Sequence, residues 1–281
     1  MIRAQPPHSP LASFYERHLA LREGSVLEWI EGQPPRRIAL DAVHVAVAQD
    51  TAYAVDRSGR LLAWTAADAV PQPLLDGVAY ASAGVSGVLA ITTDGRLHQR
   101  RTDAPVWLPV ADAVHQAWVG DSSDYYVTRA GTLFVSGLAH RGQYGDGLLT
   151  AVEGWKAVAE AVVHVCAHTG HAILLKEDGT VEGTGGNRFG PLGTHGFGDK
   201  ADRWGTVFRD AAKTATGARH TAALKTDGSL WLWGEHAGLV PRQLLDGISA
   251  VACGDRHTLA LAADGRLWFW ATGNPPALLR P

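Results

Sequence analysis

The sequence predicts an all-β fold, a β-propeller of seven blades, because one strand–turn–strand pattern returns along nearly the whole chain of 281 residues. In its last copy, residues 250–270 (AVACGDRHTLALAADGRLWFW), two strand-like apolar runs flank Asp264-Gly265. An Asp-Gly pair between such runs is a strong hairpin signal, because glycine readily supplies the positive φ that tight turns need. The corresponding turn glycines are Gly24, Gly59, Gly95, Gly131, Gly179, Gly228 and Gly265.

The spacing of the turn glycines indicates a closed ring. Successive ones are 35, 36, 36, 48, 49 and 37 residues apart, and the distance from the last back to the first through the two termini is 40. Repeats of this length with several short strands are typical of propellers, whose blades bury their faces against one another. We expect the whole chain, residues 1–281, to form a single domain.

Each repeat should contain four antiparallel strands, and their alternating direction assigns the connections to two faces. One face carries the GxxHT-type loops after the first strands and the connections after the third strands. The other face carries the turn glycines. The third strands are expected to pack tryptophans between blades, at Trp29, Trp64, Trp231, Trp233, Trp268 and Trp270.

The two ends of the chain are predicted to close the ring. Leu11 to Phe14 aligns with Val251 to Gly254, and the C-terminal PPALLRP matches the fourth-strand text PRQLLDG. We therefore expect the N-terminal and C-terminal strands to share one blade, which would remove two unpaired sheet edges.

Composition excludes several classes of partner. The formal charge of −3 and the pI near 6.5 leave no basic surface for nucleic acid. No segment approaches 18 consecutive apolar residues and the N-terminus has no signal-like core, so we expect a cytoplasmic protein without a membrane partner. The two cysteines, Cys166 and Cys253, fall at matching places two repeats apart and should not form a disulfide.

Three stretches carry a family resemblance. CGDRHTLALAADGRLWFW, GARHTAALKTDGSLWLWG and GGNRFGPLGTHG resemble the regulator-of-chromosome-condensation repeat, which forms a seven-bladed propeller. The resemblance is strongest in the last two repeats and weakest in the first three. For activity it implies several options, because the family includes nucleotide exchange factors, a plant ultraviolet-B photoreceptor, a secreted β-lactamase inhibitor and ubiquitin-ligase domains. The photoreceptor's tryptophan lies in a GWRHT loop, whereas the loops here read GARHT and GDRHT.

Two groups of residues could suggest chemistry. His164, Cys166, His168 and His171 lie within eight residues and have ligand types that Zn²⁺ accepts. However, Cys166 and His171 recur at matching positions in other repeats, which favours a structural role and predicts no metal or cofactor. The pairs His220-Thr221 and His257-Thr258 also recur, and no nucleophile motif accompanies them, which favours a protein that is not an enzyme.

Two long connections, 137–155 and 183–204, are the largest adjacent projections predicted on the GxxHT-loop face. They resemble the family's full-length loop, which favours retained family structure over an acquired binding site, with a binding role as the alternative. Arginine and aromatic residues dominate binding hot spots, and the candidate partner-binding residues are Asp121, His140, Arg141, Tyr144, Arg188, Phe189, His195, Phe197, Arg219, Asp255 and Arg256.

These observations favour a non-enzymatic propeller, monomeric before binding, that docks another protein and inhibits or neutralises it, as an immunity protein does for a toxin or an inhibitor for an enzyme. The second hypothesis is nucleotide exchange on a small GTPase, although the inserted wedge and basic tail of the family's exchange factors are not visible here. The third is a propeller hydrolase, which would need acidic residues converging on a channel metal.

Overall fold

The computed structural model describes residues 8–30, 33–193, 198–235, 237–271 and 274–279, which form 28 β-strands. Among these residues, none forms a helix with the length and apolar character needed to cross a bilayer. The first four blades consist of β1–β4 (Leu11–Phe14, Arg17–Arg22, Ser25–Ile30, Arg36–Ile38), β5–β8 (Ala42–Val47, Thr51–Asp56, Leu61–Thr65, Gln72–Leu75), β9–β12 (Val78–Gly84, Gly87–Thr92, Leu97–Arg101, Leu108–Ala111) and β13–β16 (Val114–Val119, Ser123–Thr128, Leu133–Gly137, Lys156–Ala159). The last three consist of β17–β20 (Val162–His168, His171–Lys176, Val181–Gly186, Lys200–Phe208), β21–β24 (Ala211–Thr216, His220–Lys225, Leu230–Gly234, Gly238–Leu245) and β25–β28 (Ile248–Cys253, His257–Ala262, Leu267–Ala271, Ala277–Leu279).

The strands form seven antiparallel sheets, each made of four strands that are consecutive in sequence. The first strands of the blades contact one another in ring order, and β1 contacts both β5 and β25. The predicted all-β, seven-bladed propeller is therefore confirmed, with the first strands innermost around a channel and the fourth strands at the outer edges.

The turn glycines adopt the backbone conformation that the sequence predicts. All seven have positive φ, between 73° at Gly24 and 90° at Gly95. In the first blade the turn has only two residues, because Arg22 pairs with Ser25, and Glu23 is also left-handed, with φ of 51°. Two consecutive residues with positive φ are the requirement of a type I′ hairpin, which matches the twist of its strands.

The prediction that the two termini share a blade is wrong. Leu11–Phe14 is an innermost strand, as its alignment predicts, but it begins its own four-stranded sheet, and Ala277–Leu279 is the outermost strand of the last sheet. Side-chain packing between the first and last blades closes the ring instead, in a cluster that includes Leu11, Ala20 and Leu259. The last repeat has a complete set of four strands, so it needs none from the N-terminus.

Tryptophans lie on the third strands, as predicted. Trp64, Trp233 and Trp270 are buried between blades, with Trp233 fully enclosed. Trp29, Trp231 and Trp268 are half-buried. The buried ones stand five residues after their turn glycines, which puts that position at the boundary with the neighbouring blade.

The second long connection is shorter than its sequence suggests. The predicted connection 183–204 contains the end of β19 and the start of β20, where Gly186 pairs with Lys200. A bridge from Asp146 to Arg203 ties this part of β20 to the long connection of the preceding blade. Residues 200 and 201 pair with β19, whereas residues 202–204 are hydrogen-bonded to the fourth-blade connection. The connection itself is therefore reduced to residues 187–199.

Both cysteines are free and buried. Burial raises the pKa of the Cys166 thiol to about 12, and burial likewise raises the pKa of Cys253. The thiolate is the reactive form of cysteine. We expect a disulfide reagent at pH 8 to label neither thiol in the native protein and both in denaturant, as counted by absorbance. Rapid labelling of the native protein would contradict this packing.

Candidate functional site

The two faces of the propeller differ in construction. We call the loop face the set of connections between first and second strands (15–16, 48–50, 85–86, 120–122, 169–170, 217–219 and 254–256) together with those between third and fourth strands. We call the turn face the seven glycine turns together with the connections between consecutive blades. The strand bounds place all of these as the sequence predicts.

Exposed apolar side chains are distributed unequally between the two faces. Thirteen large hydrophobic residues are exposed in the described part of the chain, and none of them lies on the turn face. Five lie on outer fourth strands. The eight on the loop face are Tyr15, Val70, Val85, Val106, Leu138, Leu148, Leu149 and Val152.

The described part of the turn face presents ion pairs without exposed large hydrophobic residues. Arg57 Nε lies 3.0 Å from Asp41 Oδ2, Arg266 Nε lies 2.7 Å from Asp264 Oδ2, and Lys225 Nζ lies 3.5 Å from Asp210 Oδ2. Exposed pairs of this kind contribute little to stability but keep a surface hydrated. Interfaces, in contrast, have cores depleted of charge. The loop face is the better candidate for binding.

Aromatic residues of the first blade cover the centre of the loop face. Phe14 stacks on His168 of the fifth blade with ring centroids 5.7 Å apart, and Tyr15 meets the same ring edge-on at 6.2 Å. Burial, together with the charges of Asp121 and Asp255, raises the pKa of Tyr15. Residues from four different blades therefore converge at this point, which we call the mouth cluster: Phe14, Tyr15, Asp121, His168, Thr169 and Asp255.

Three polar side chains of the mouth cluster contact one another. The Thr169 hydroxyl donates to Asp121 Oδ2 at 2.9 Å and lies 2.7 Å from His168 Nδ1, which itself is 3.5 Å from Asp121 Oδ2. Burial alone would raise the pKa of Asp121, but the contacts with His168 and Thr169 lower it, so the carboxylate is charged at neutral pH. Asp121 Oδ1 and His168 Nε2 are buried without a hydrogen-bond partner. Unpaired buried polar atoms are costly, and a ligand that supplied their partners would gain affinity.

One predicted contact residue on the long connection of the fourth blade is buried. Tyr144 is fully buried and its hydroxyl donates to the Gly137 carbonyl at 2.9 Å. Its ring packs in the core between the fourth and fifth blades. It therefore cannot touch a partner, because the connection folds inward at this residue. His140 and Arg141, predicted on the same connection, are exposed.

The predicted residues of the fifth and sixth blades come together at the rim of the loop face. Arg219 lies over the ring of Phe189 with its guanidinium carbon 4.1 Å from the centroid, and Arg188 lies 5.9 Å away. Arg219 also forms an ion pair of 3.0 Å with Glu235. Phe189 is half-buried and Arg188 exposed, so both are accessible.

The remaining predicted residues lie in two places. Arg256 is exposed beside Asp255, with its Nε 4.0 Å from Asp255 Oδ2, and both residues are on the loop face. His195 and Phe197 lie outside the described residues. Sequence reasoning missed Phe14 and Tyr15, although the alignment of Phe14 with Gly254 places Tyr15 on a short loop. It also missed Val85 and Val106, because single valines in weakly matching repeats carry no pattern.

The channel has the wrong lining for the hydrolase hypothesis. A cavity of about 330 Å³ is lined by side chains of the first strands, among them His44, Trp118 and His164. No Asp or Glu is among its described lining residues. Burial lowers the pKa of both His44 and His164 to about 4. The described lining therefore does not supply the convergent acids that this hypothesis needs.

The suggested metal group is also spread over separate contacts. His164 Nδ1 lies 3.2 Å from Thr214 Oγ1, and the Cys166 thiol lies 3.6 Å from the same hydroxyl. His168 faces the mouth cluster, and His171 begins the next strand. Across the described part of the chain, no three His, Cys, Asp or Glu side chains are grouped closely enough to hold a metal ion.

A closed ring of seven four-stranded blades defines the class of protein, a seven-bladed β-propeller. A sequence model of the regulator of chromosome condensation (RCC1) repeat matches residues 248–270. The human X-linked retinitis pigmentosa GTPase regulator is 30% identical over 129 residues, which cover 42% of this chain and 12% of that relative. The chain is an RCC1-like seven-bladed β-propeller.

Solved structures agree on the fold. Human WBSCR16 superposes with a TM-score of 0.77 at 15% identity, covering 88% of this chain and 84% of that one. Prp20p from Saccharomyces cerevisiae, described with its binding to Gsp1p and histones, gives 0.77 at 16% identity, covering 89% and 81%. These neighbours establish the shared architecture.

Proposed function

We propose that this propeller binds a partner protein through its loop face and thereby inhibits or neutralises that partner. The observation that carries the proposal is that, in the part of the chain that the structure describes, eight large exposed apolar side chains lie on the loop face and none on the turn face. The cores of protein interaction sites are enriched in aromatic and apolar side chains, and their rims are polar.

The centre of the loop face supports a partner that brings hydrogen-bond donors. Asp121 is charged and Asp121 Oδ1 lacks a protein partner. Three further acidic residues, Glu16, Asp50 and Asp255, lie on the short loops of this face. The short loops carry two arginines, Arg219 and Arg256, so acidic residues outnumber basic ones there. A Lys or Arg of the partner, surrounded by apolar side chains, would satisfy this arrangement, because a desolvated pair at the middle of an interface is worth more than one at its rim.

In this proposal, the rigidity of the loop face is what allows it to inhibit a partner. Most loop-face connections are short and end on antiparallel strands, so little conformational entropy is lost on binding. A rigid surface that covers a partner's functional site blocks that site without any chemistry of its own. The resemblance to a family that includes a propeller-type β-lactamase inhibitor supports the same interpretation.

A second candidate is regulation of a small GTPase. It is favoured by the similarity to the retinitis pigmentosa GTPase regulator and by the fold shared with Prp20p, whose description includes binding to Gsp1p. Accelerated release of a fluorescent guanine nucleotide from GTPases of the source organism would support it. An unchanged release rate, with a partner bound, would favour blocking.

The face can be tested with charge substitutions in a quantitative binding assay on the captured partner. We expect Val85→Asp combined with Val106→Asp, and separately Arg188→Ala combined with Phe189→Ala, to weaken binding by about 30-fold, the effect of losing a hot spot of roughly 2 kcal/mol. Asp121→Asn should weaken it as well, because it removes the charge at the mouth cluster.

The matched control is Leu278→Asp, which adds the same charge at an exposed leucine of an outer fourth strand. It should leave the dissociation constant unchanged. If Leu278→Asp weakened binding while the five loop-face substitutions did not, the partner would dock on the outer edge of the ring and the assignment of the face would be wrong.

A further inference from the structure

The boundary between the fifth and sixth blades contains a slot that the chain fills with its own loop. The Pro191 carbonyl of the fifth blade accepts two hydrogen bonds of 2.8 Å, from Thr221 Oγ1 and Trp233 Nε1 of the sixth blade. The next side chain, Leu192, is fully buried between the two blades. Gly183 makes room for it, since a Cβ at Gly183 would lie 2.8 Å from Leu192.

The boundary between the fourth and fifth blades repeats the arrangement. Tyr144 is the buried side chain there, and Thr184 donates to the Gly142 carbonyl at 2.8 Å. The backbone bonds correspond too, with Gly142 N to Ala139 O at 2.8 Å and Gly190 N to Asn187 O at 2.9 Å. An inserted loop is thus a reusable part of this fold.

The boundary between the sixth and seventh blades has the paired residues that hold the inserted loop elsewhere, but its connection is too short to supply such a loop. Thr258 and Trp270 pair in register as Thr221 and Trp233 do. The connection of the sixth blade spans only residues 235–237. A cavity of about 390 Å³ lies there, lined by Leu232, Thr258 and Trp270 among others.

The hydrogen bonds at the open slot differ accordingly. Thr258 Oγ1 lies 2.8 Å from His220 Nε2, whereas Thr221 bonds to the inserted loop. Within the described residues, the structure gives Trp270 Nε1 no acceptor. The two donors that hold a loop carbonyl in the preceding slot are therefore both available to a ligand, once the Thr258 hydroxyl rotates.

We propose that the open slot binds a turn-forming loop of another protein. The loop would have the sequence Gly-Pro-Ala-Gly, preceded closely by an acidic residue. The proline carbonyl would accept from Trp270 and Thr258, as Pro191 does from its own pair. The inserted side chain must be smaller than leucine, because Leu232 stands where the fifth blade has Gly183. The rim of the slot carries two arginines, Arg242 and Arg256, and one acidic residue, Glu235, which pairs with Arg219. An acidic residue beside the inserted loop would complement this positive rim. The slot would accept such a loop whether or not the rest of the loop face binds a partner.

The probe is a backbone-cyclised, fluorescent peptide containing Glu-Phe-Gly-Pro-Ala-Gly, titrated against the whole protein by anisotropy. We expect saturable binding, and no binding of the peptide in which the alanine is replaced by aspartate. Trp270→Phe should weaken binding about fivefold, the effect of one hydrogen bond. Trp268→Phe, on the same strand but outside the slot, should have no effect.

Two further arms test the geometry. Leu232→Ala should shift the preference by about tenfold toward the peptide with leucine in place of alanine, since one or two methylenes are worth that much in an apolar site. Replacing residues 235–237 with the loop sequence of residues 187–193 should fill the slot and abolish binding. Absence of saturable binding up to millimolar peptide, or equal binding by wild type and the loop-filled protein, would overturn the proposal.

Discussion

Lowering the pH from about 7.5 to about 5.5 is expected to reduce the free energy of unfolding by about 7 kcal/mol, because each of five buried histidines contributes about 1.4 kcal/mol. Burial is the first cause of the lowered pKa at all five. The values fall to about 3 at His18, His171 and His220 and to about 4 at His44 and His164.

The direction follows from proton uptake. Between the folded pKa values and the ordinary value of 6.5, the unfolded chain binds protons that the folded chain does not. Stability is therefore greatest above pH 6.5 and falls as the pH decreases toward about 4. Asp124 acts in the opposite direction, because burial raises its pKa to about 6. One carboxyl offsets only a minor part of the effect of five imidazoles.

The measurement is a series of urea unfolding curves across this pH range. A protein of ordinary stability, about 5 to 15 kcal/mol, would come close to unfolding at the acid end. His171→Gln should reduce the loss by about 1.4 kcal/mol, whereas His140→Gln, at an exposed site, should not change it. A flat profile between these pH values would contradict the burial of the five imidazoles.

Glu28→Gln is expected to cost about 3 to 5 kcal/mol of stability, the usual effect of removing one partner from a buried ion pair. The Glu28 carboxylate is fully buried and receives Arg17 at 2.5 Å, Arg36, and the Trp64 indole at 3.3 Å. Arg36 also donates to the Ala66 carbonyl of the second blade at 2.9 Å. The substitution would leave two guanidinium groups without their counter-ion at the boundary between the first two blades.

The control is Glu23→Gln, which removes an exposed partner 3.8 Å from Arg37 and should change stability by less than about 0.5 kcal/mol. Urea midpoints of both variants provide the comparison. Equal effects of the two substitutions would show that the Glu28 network does not hold these blades together.

The sequence predicted the features that depend on local backbone chemistry. A glycine with positive φ is required at each hairpin wherever the blade lies, so the seven turns and the strands around them could be located by repetition. The faces followed from strand direction alone. Both inferences rest on a few residues that are close in sequence.

Features that depend on contacts between blades could not be predicted in this way. Tyr144 belongs to a residue class common in binding sites, and only the inward course of its connection buries it. The pairing of Leu11–Phe14 with Arg17–Arg22, in a sheet separate from the one that contains Ala277–Leu279, showed that the termini do not share a blade. The mouth cluster joins the first, fourth, fifth and seventh blades, and no pattern along the chain brings those residues together.

Hydrogen–deuterium exchange of the propeller, alone and saturated with its captured partner, tests the central claim most directly. We expect protection to be concentrated on the loop face, around Tyr15, Val85, Val106 and residues 138–152, and exchange at the turn glycines to be unchanged. Protection of the turn face or of the outer fourth strands, with the loop face exchanging as in the free protein, would contradict the claim.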